Sequence, residues 1–75
     1  MSDVPRYRVS RRVREEIARR NWSQNRFAAR CGLTSGHLSQ LLSGKRQPGP
    51  DVRQRLLDAL VPMAFDDLFE EVIDA

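Results

Sequence analysis

Between Thr34 and Ser43, Leu38, Leu41 and Leu42 fall at i, i+3 and i+4, and the opposite face carries Ser35, Gly36, Ser39 and Gln40. That face holds no large apolar group and no charge. Its chemistry is hydrogen bonding at short range, to a surface that must be approached closely. An upstream helix-compatible stretch, Ser23 to Cys31, ends at Gly32, and Ser23-Gln24 opens it. The N–H groups at a helix start form a ready site for an anion, and Gln24 adds a neutral donor there. Beyond Gly44 lies the polar loop Lys45-Arg46-Gln47-Pro48-Gly49. Two short helices joined at a glycine turn, the second with small polar side chains outward and basic residues around both, have the layout of a helix-turn-helix. The major groove of duplex DNA is about 12 Å wide, so residues facing base edges must be small or able to hydrogen-bond.

The rest of the chain supplies elements to position this pair. Apolar spacing of period 3.6 recurs throughout, and no stretch alternates as a strand does. Five short helices are predicted. The first spans Ser10 to Arg20, with Ser10 as N-cap, Val13 and Ile17 inward, Arg11, Arg12, Arg14, Arg19 and Arg20 on exposed faces, and Asn21 closing it. Trp22 then packs inward. The second spans Ser23 to Cys31 with Phe27, Ala28 and Cys31 as its apolar stripe, so Cys31 reads as a core residue, with a redox sensor as the alternative. The third starts at Thr34. The fourth runs from Pro50 to Leu60, with Val52, Leu56, Leu57 and Leu60 apolar and Asp51 at the favourable N-terminal end. Val61-Pro62 breaks it. The fifth runs from Ala64 to Ile73, with Phe65, Leu68, Phe69, Val72 and Ile73 apolar and Asp66, Asp67, Glu70, Glu71 and Asp74 polar. Those five apolar residues exceed what one face of a small core needs, so they are either core or a dimer surface. The fold class is therefore all-α, a compact five-helix domain over residues 10–75. Residues 1–9 are expected to be a flexible N-terminal arm, in which Arg6, Tyr7 and Arg8 either follow DNA or form an ordinary terminus.

Composition excludes several classes. Seventy-five residues hold one small core, with 40% hydrophobic and 31% charged residues, the balance of a globular domain. No apolar run approaches the ~20 residues of a membrane span. Met1 to Ser10 lacks the apolar region of a secretory signal. One cysteine and one histidine cannot supply the usual ligands of a structural zinc site, and no metal or cofactor is expected. An enzyme is not expected: His37 and Cys31 lie on different helices, with no grouped nucleophile, base and orienting residue. Thirteen Lys and Arg face ten Asp and Glu, but the distribution is uneven. Residues 1–55 hold all thirteen basic groups against four acids, a balance of +9, and residues 56–75 hold six acids and no base. Such a chain can turn one side to a polyanion.

The ordered set Trp22-Ser23-Gln24-Asn25, Phe27-Ala28, Cys31-Gly32-Leu33-Thr34, Leu38, Leu41, Ser43-Gly44-Lys45-Arg46-Gln47-Pro48 and Phe65-Asp66-Asp67-Leu68-Phe69 resembles the lambdoid phage repressor and Cro-like (xenobiotic response element) helix-turn-helix family. The likeness extends over about Ser10 to Phe69. It implies a repressor-like fold with the helix-turn-helix in helices 2 and 3. It also implies a sequence-specific regulator of transcription, cytoplasmic, encoded by a bacterium or phage, that binds double-stranded DNA as a homodimer. Base readout falls to Ser35, Gly36, His37, Ser39 and Gln40. Phosphate contacts fall to Ser23, Gln24, Arg26, Thr34, Ser43, Lys45 and Arg46. Arg26 replaces an acid common in the family and serves either DNA or solvent. Ile17 and Leu42 stand where several phage repressors pair Arg with Glu. Gly36 removes a side chain where a base is often read. The alternative is an antitoxin or adaptor whose C-terminal helix binds a protein partner.

Overall fold

Residues at the helix ends place most of the helix boundaries. The computed structural model describes residues 6–73, in the order β1 (Tyr7–Val9), α1 (Arg11–Arg19), α2 (Gln24–Cys31), α3 (Ser35–Ser43), α4 (Pro50–Ala59), α5 (Phe65–Leu68) and β2 (Phe69–Glu71). The hydroxyl oxygens of Ser10, Ser23 and Thr34 accept the N–H groups of Arg12, Arg26 and His37, each at 3.1 Å. These contacts satisfy donors that a helix start leaves orphaned. Three helices end in one way. Asn21, Gly32 and Gly44 take positive φ of 59°, 70° and 82°. The next N–H then reaches back to a carbonyl in the last turn: Trp22 to Ile17 at 3.1 Å, Leu33 to Ala28 at 2.9 Å, Lys45 to Gln40 at 3.0 Å. This is the Schellman closure. α4 instead begins at Pro50 with no side-chain cap, and Asp51 sits in its first turn.

The helices enclose one core. Val13 and Ile17 of α1, Phe27, Ala28 and Cys31 of α2, Leu38 and Leu41 of α3, and Leu56 of α4 with Leu60 just beyond it are buried together. Val52 and Leu57 pack at its edge. Trp22 is half-buried and stacks on Phe27 with ring centroids 5.7 Å apart. Ile17 is buried and Leu42 half-buried, so both pack as apolar residues. The architecture is the all-α, repressor-like one that the sequence predicts. No helix among the described residues is long and apolar enough to cross a membrane.

Two elements differ from expectation. The fifth helix stops at Leu68, not Ile73, and Tyr7–Val9 form a strand. The two changes have one cause. β1 pairs antiparallel with β2, with Tyr7 opposite Glu71, Arg8 opposite Glu70 and Val9 opposite Phe69. The Leu68 carbonyl accepts the Ser10 N–H at 2.7 Å, and Phe69 turns extended at φ −131°, ψ 145°. This pairing buries Val9 and Phe69, and it sets Tyr7 edge-on to Phe65 at 4.9 Å. Residues 7–9 of the expected arm are thus held in a sheet, and residues 1–5 lie outside the described residues.

Candidate nucleic-acid interface

α3 is rooted in the core by Leu38 and Leu41, both with no exposed surface. Its register therefore fixes what it presents. Ser35, Gly36, Ser39 and Gln40 are exposed, and His37 is half-buried. Apart from the neighbouring residues and backbone of its own helix, nothing described lies within 4 Å of where a Cβ at Gly36 would stand. The surface there is open backbone, which a flat ligand edge can approach. The Gln40 carbonyl accepts the N–H groups of Lys45 at 3.0 Å and Arg46 at 3.2 Å, so the end of α3 and the start of the basic loop are tied together.

The residues expected to meet phosphate flank this helix along the chain, and all are exposed. Ser23, Gln24 and Arg26 are exposed at the start of α2, Thr34 at the start of α3, and Ser43, Lys45 and Arg46 at and beyond its end. The Ser23 and Thr34 oxygens accept a backbone N–H, which leaves each O–H proton to donate elsewhere. Ser43 is different. Its hydroxyl donates to the Gln40 carbonyl at 3.2 Å, so a phosphate contact from that proton first requires the hydroxyl to rotate.

The basic excess of residues 1–55 is partly consumed within the fold. Arg8 pairs with Glu70 and Arg12 with Asp67, each at 3.0 Å, which sets the acidic end of the chain against its basic start. Arg20 pairs with Glu16 at 2.7 Å and donates to the carbonyls of Ala59, Leu60 and Val61 at 3.3, 3.1 and 2.9 Å. Far from filling an exposed face, it closes the C-terminal end of α4. Arg55 donates to the carbonyls of Gly32 and Cys31 at 3.2 and 3.4 Å. Arg30 lies 4.5 Å over the Trp22 ring, and Arg53 lies 4.9 Å over Tyr7. Sequence reasoning missed these structural roles, because a carbonyl acceptor tens of residues away leaves no mark on composition or spacing.

The expected dimer surface is divided. Leu68 has no exposed surface and Phe69 has 4%, so both are core residues that cannot meet a partner while the domain is folded. Phe65 and Val72 are half-buried, and Ile73 is 82% exposed. Cys31 is buried, and that burial pushes its thiol up to about 11, against an opposing pull from Arg55. It belongs to the core.

A helix-turn-helix family model matches residues 11–60, which takes in α1 through α4 and all of the interface described above. No curated protein and no solved structure gives a significant match. With the model covering most of its length, the chain belongs to the Cro/C1-type helix-turn-helix family of DNA-binding regulators.

Proposed function

We propose that the protein is a sequence-specific regulator of transcription, a repressor, whose α3 enters the major groove of double-stranded DNA. The observation that carries this reading is the pairing of a rigid root with a bare polar face. Leu38 and Leu41 anchor α3, while Ser35, Gly36, Ser39 and Gln40 stand exposed between the start of α2 and Lys45-Arg46. Gln40 has the paired donor and acceptor that suit adenine, and Ser35 and Ser39 suit any base edge. The N–H groups of the first turn of α2, with Ser23, Gln24 and Arg26, clamp a backbone phosphate on one side, and Lys45 and Arg46 clamp the next. The protein acts as a homodimer on two half-sites about 34 Å apart, one helical turn. Phe65, Val72 and Ile73 are the apolar residues left to form its contact.

Selection from random duplex DNA at near-physiological salt tests this, with folding followed separately by circular dichroism. The expected result is an enriched palindrome whose affinity falls steeply as salt rises. A folded protein that enriches no sequence, with a flat salt response, overturns it. The antitoxin or adaptor reading has a smaller surface, since the C-terminal helix is a single turn and, among the described residues beyond it, Ile73 is the exposed large apolar one. Co-purification of a protein partner that this end of the chain captures supports that reading instead.

A further inference from the structure

We propose that Arg55 is a positioning residue of the helix-turn-helix: it sets the angle between α2 and α3 by bracing the turn that joins them. The inference rests on α3 being the helix that meets DNA. The turn is built on Gly32 at φ 70°, a residue with wide backbone freedom, and α3 begins three residues later. A small rotation at Gly32 therefore swings the whole recognition face. The guanidinium of Arg55 is placed to stop it. Nη1 donates to the carbonyls of both Cys31 and Gly32, the last residues before the chain turns, at 3.4 and 3.2 Å. The same side chain is fixed to α4, where Nε lies 3.4 Å from the Asp51 carboxylate, and the adjacent Leu56 is wholly buried. The fit also works in reverse: a Cβ at Gly32 would stand 3.1 Å from Nη1. The absence of a side chain at Gly32 makes the room in which the guanidinium reaches both carbonyls. The carbonyl end of α2 carries the negative pole of its dipole, so a cation is favoured there. The ion pair to Asp51 is exposed and adds little energy, so its part is geometric.

Amide residual dipolar couplings of the free protein test this directly. They report the relative orientation of α2 and α3 in the wild type, Arg55→Met and Arg55→Lys. The expected result is a changed α2–α3 angle in Arg55→Met, beyond the error of the fit, with each helix intact. Lys keeps the charge and can reach one carbonyl, so it restores part of the wild-type angle. Affinity for the duplex selected by the wild type should fall about tenfold or more in Arg55→Met, measured where the variant is fully folded. If Arg55→Met does not fold, Arg55→Lys carries the test, with an angle between those of the wild type and a freely hinged turn. Unchanged couplings in the folded variants, with only a lowered Tm, overturn the proposal. A wild type that binds no duplex instead removes the DNA-binding reading, and the couplings then decide whether Arg55 holds the turn.

Discussion

The guanidinium of Arg20, at the end of α1, lies 3.1 Å from the carbonyl oxygen of Leu60, forty residues further along the chain. The same group reaches Ala59 and Val61, and Glu16 holds it from its own helix. One cation thus meets the orphan carbonyls that end α4, where the helix dipole is negative. Replacing Arg20 with Met keeps the stem and removes the donors. Hydrogen bonds to charged groups are worth about 1.5–3 kcal/mol each, and the loss here should fall toward the lower end of that range. The reason is that the side chain keeps 23% of its surface in water. Urea denaturation of Arg20→Met beside Arg19→Met, a change at an exposed site one residue earlier, checks this. Equal losses in the two variants would show that the carbonyl contacts contribute nothing.

Gly32 and Gly36 stand four residues apart and should respond to alanine in opposite ways. At Gly32 a side chain meets both a positive φ and the Arg55 guanidinium at 3.1 Å, so Gly32→Ala should destabilise by more than about 1 kcal/mol. At Gly36 the space is open and the backbone is helical. Gly36→Ala should leave stability unchanged or raise it by up to about 1 kcal/mol, less at this early helix position. Its effect should show in the DNA instead, as an altered preference at the base pair beneath that turn. Thermal melts and duplex selection on both variants separate the two outcomes. A Gly36→Ala protein that melts much lower would mean the open face is not open in solution.

Gln40 and Lys45 offer a contrast between reading and holding. A bidentate contact to a base is worth about 1–3 kcal/mol of discrimination, so Gln40→Ala should relax preference at one position of the site. Lys45→Ala should weaken binding to all sequences alike and lower the salt slope by about one. Titrations of matched and mismatched duplexes at several salt concentrations check both. Uniform weakening by Gln40→Ala would remove it from base readout.

Residues that act on their near neighbours were legible in the sequence. Ser10, Ser23 and Thr34 cap helices within three residues of themselves, and Asn21, Gly32 and Gly44 close them through their own backbone. The exposed face of α3 followed from the spacing of Leu38 and Leu41. What escaped depends on partners far along the chain. Phe65, Leu68, Phe69, Val72 and Ile73 satisfy a helical period, yet the segment after Leu68 turns extended because Tyr7–Val9 is there to pair with it. Three residues are too few to announce a strand. Arg20 looked like surface charge and Arg55 carried no signal, because their acceptors are backbone carbonyls, which every residue has. The charge asymmetry was real, but Arg8 and Arg12 are met by Glu70 and Asp67, so part of the basic excess is spent within the fold.

The buried thiol of Cys31 makes stability depend on alkaline pH. Burial holds its pKa near 11 in the folded protein, above the ordinary 9.0. Folding therefore favours the protonated thiol. This contribution is complete below pH 9 and is lost as pH climbs through the window up to about 11. The loss from this one group is on the order of a few kcal/mol at most. Urea unfolding at pH 7.5 and pH 10.5, in the wild type and in Cys31→Ala, isolates the effect of this thiol. The wild type should lose more stability across that interval than the variant, which starts lower because it leaves a small cavity. The same burial keeps the thiolate scarce and sheltered, so alkylation at pH 8 should be slow in the native protein and fast in urea. Equal pH dependence in the two proteins, or rapid alkylation of the native one, would place the thiol in contact with water and take Cys31 out of the core.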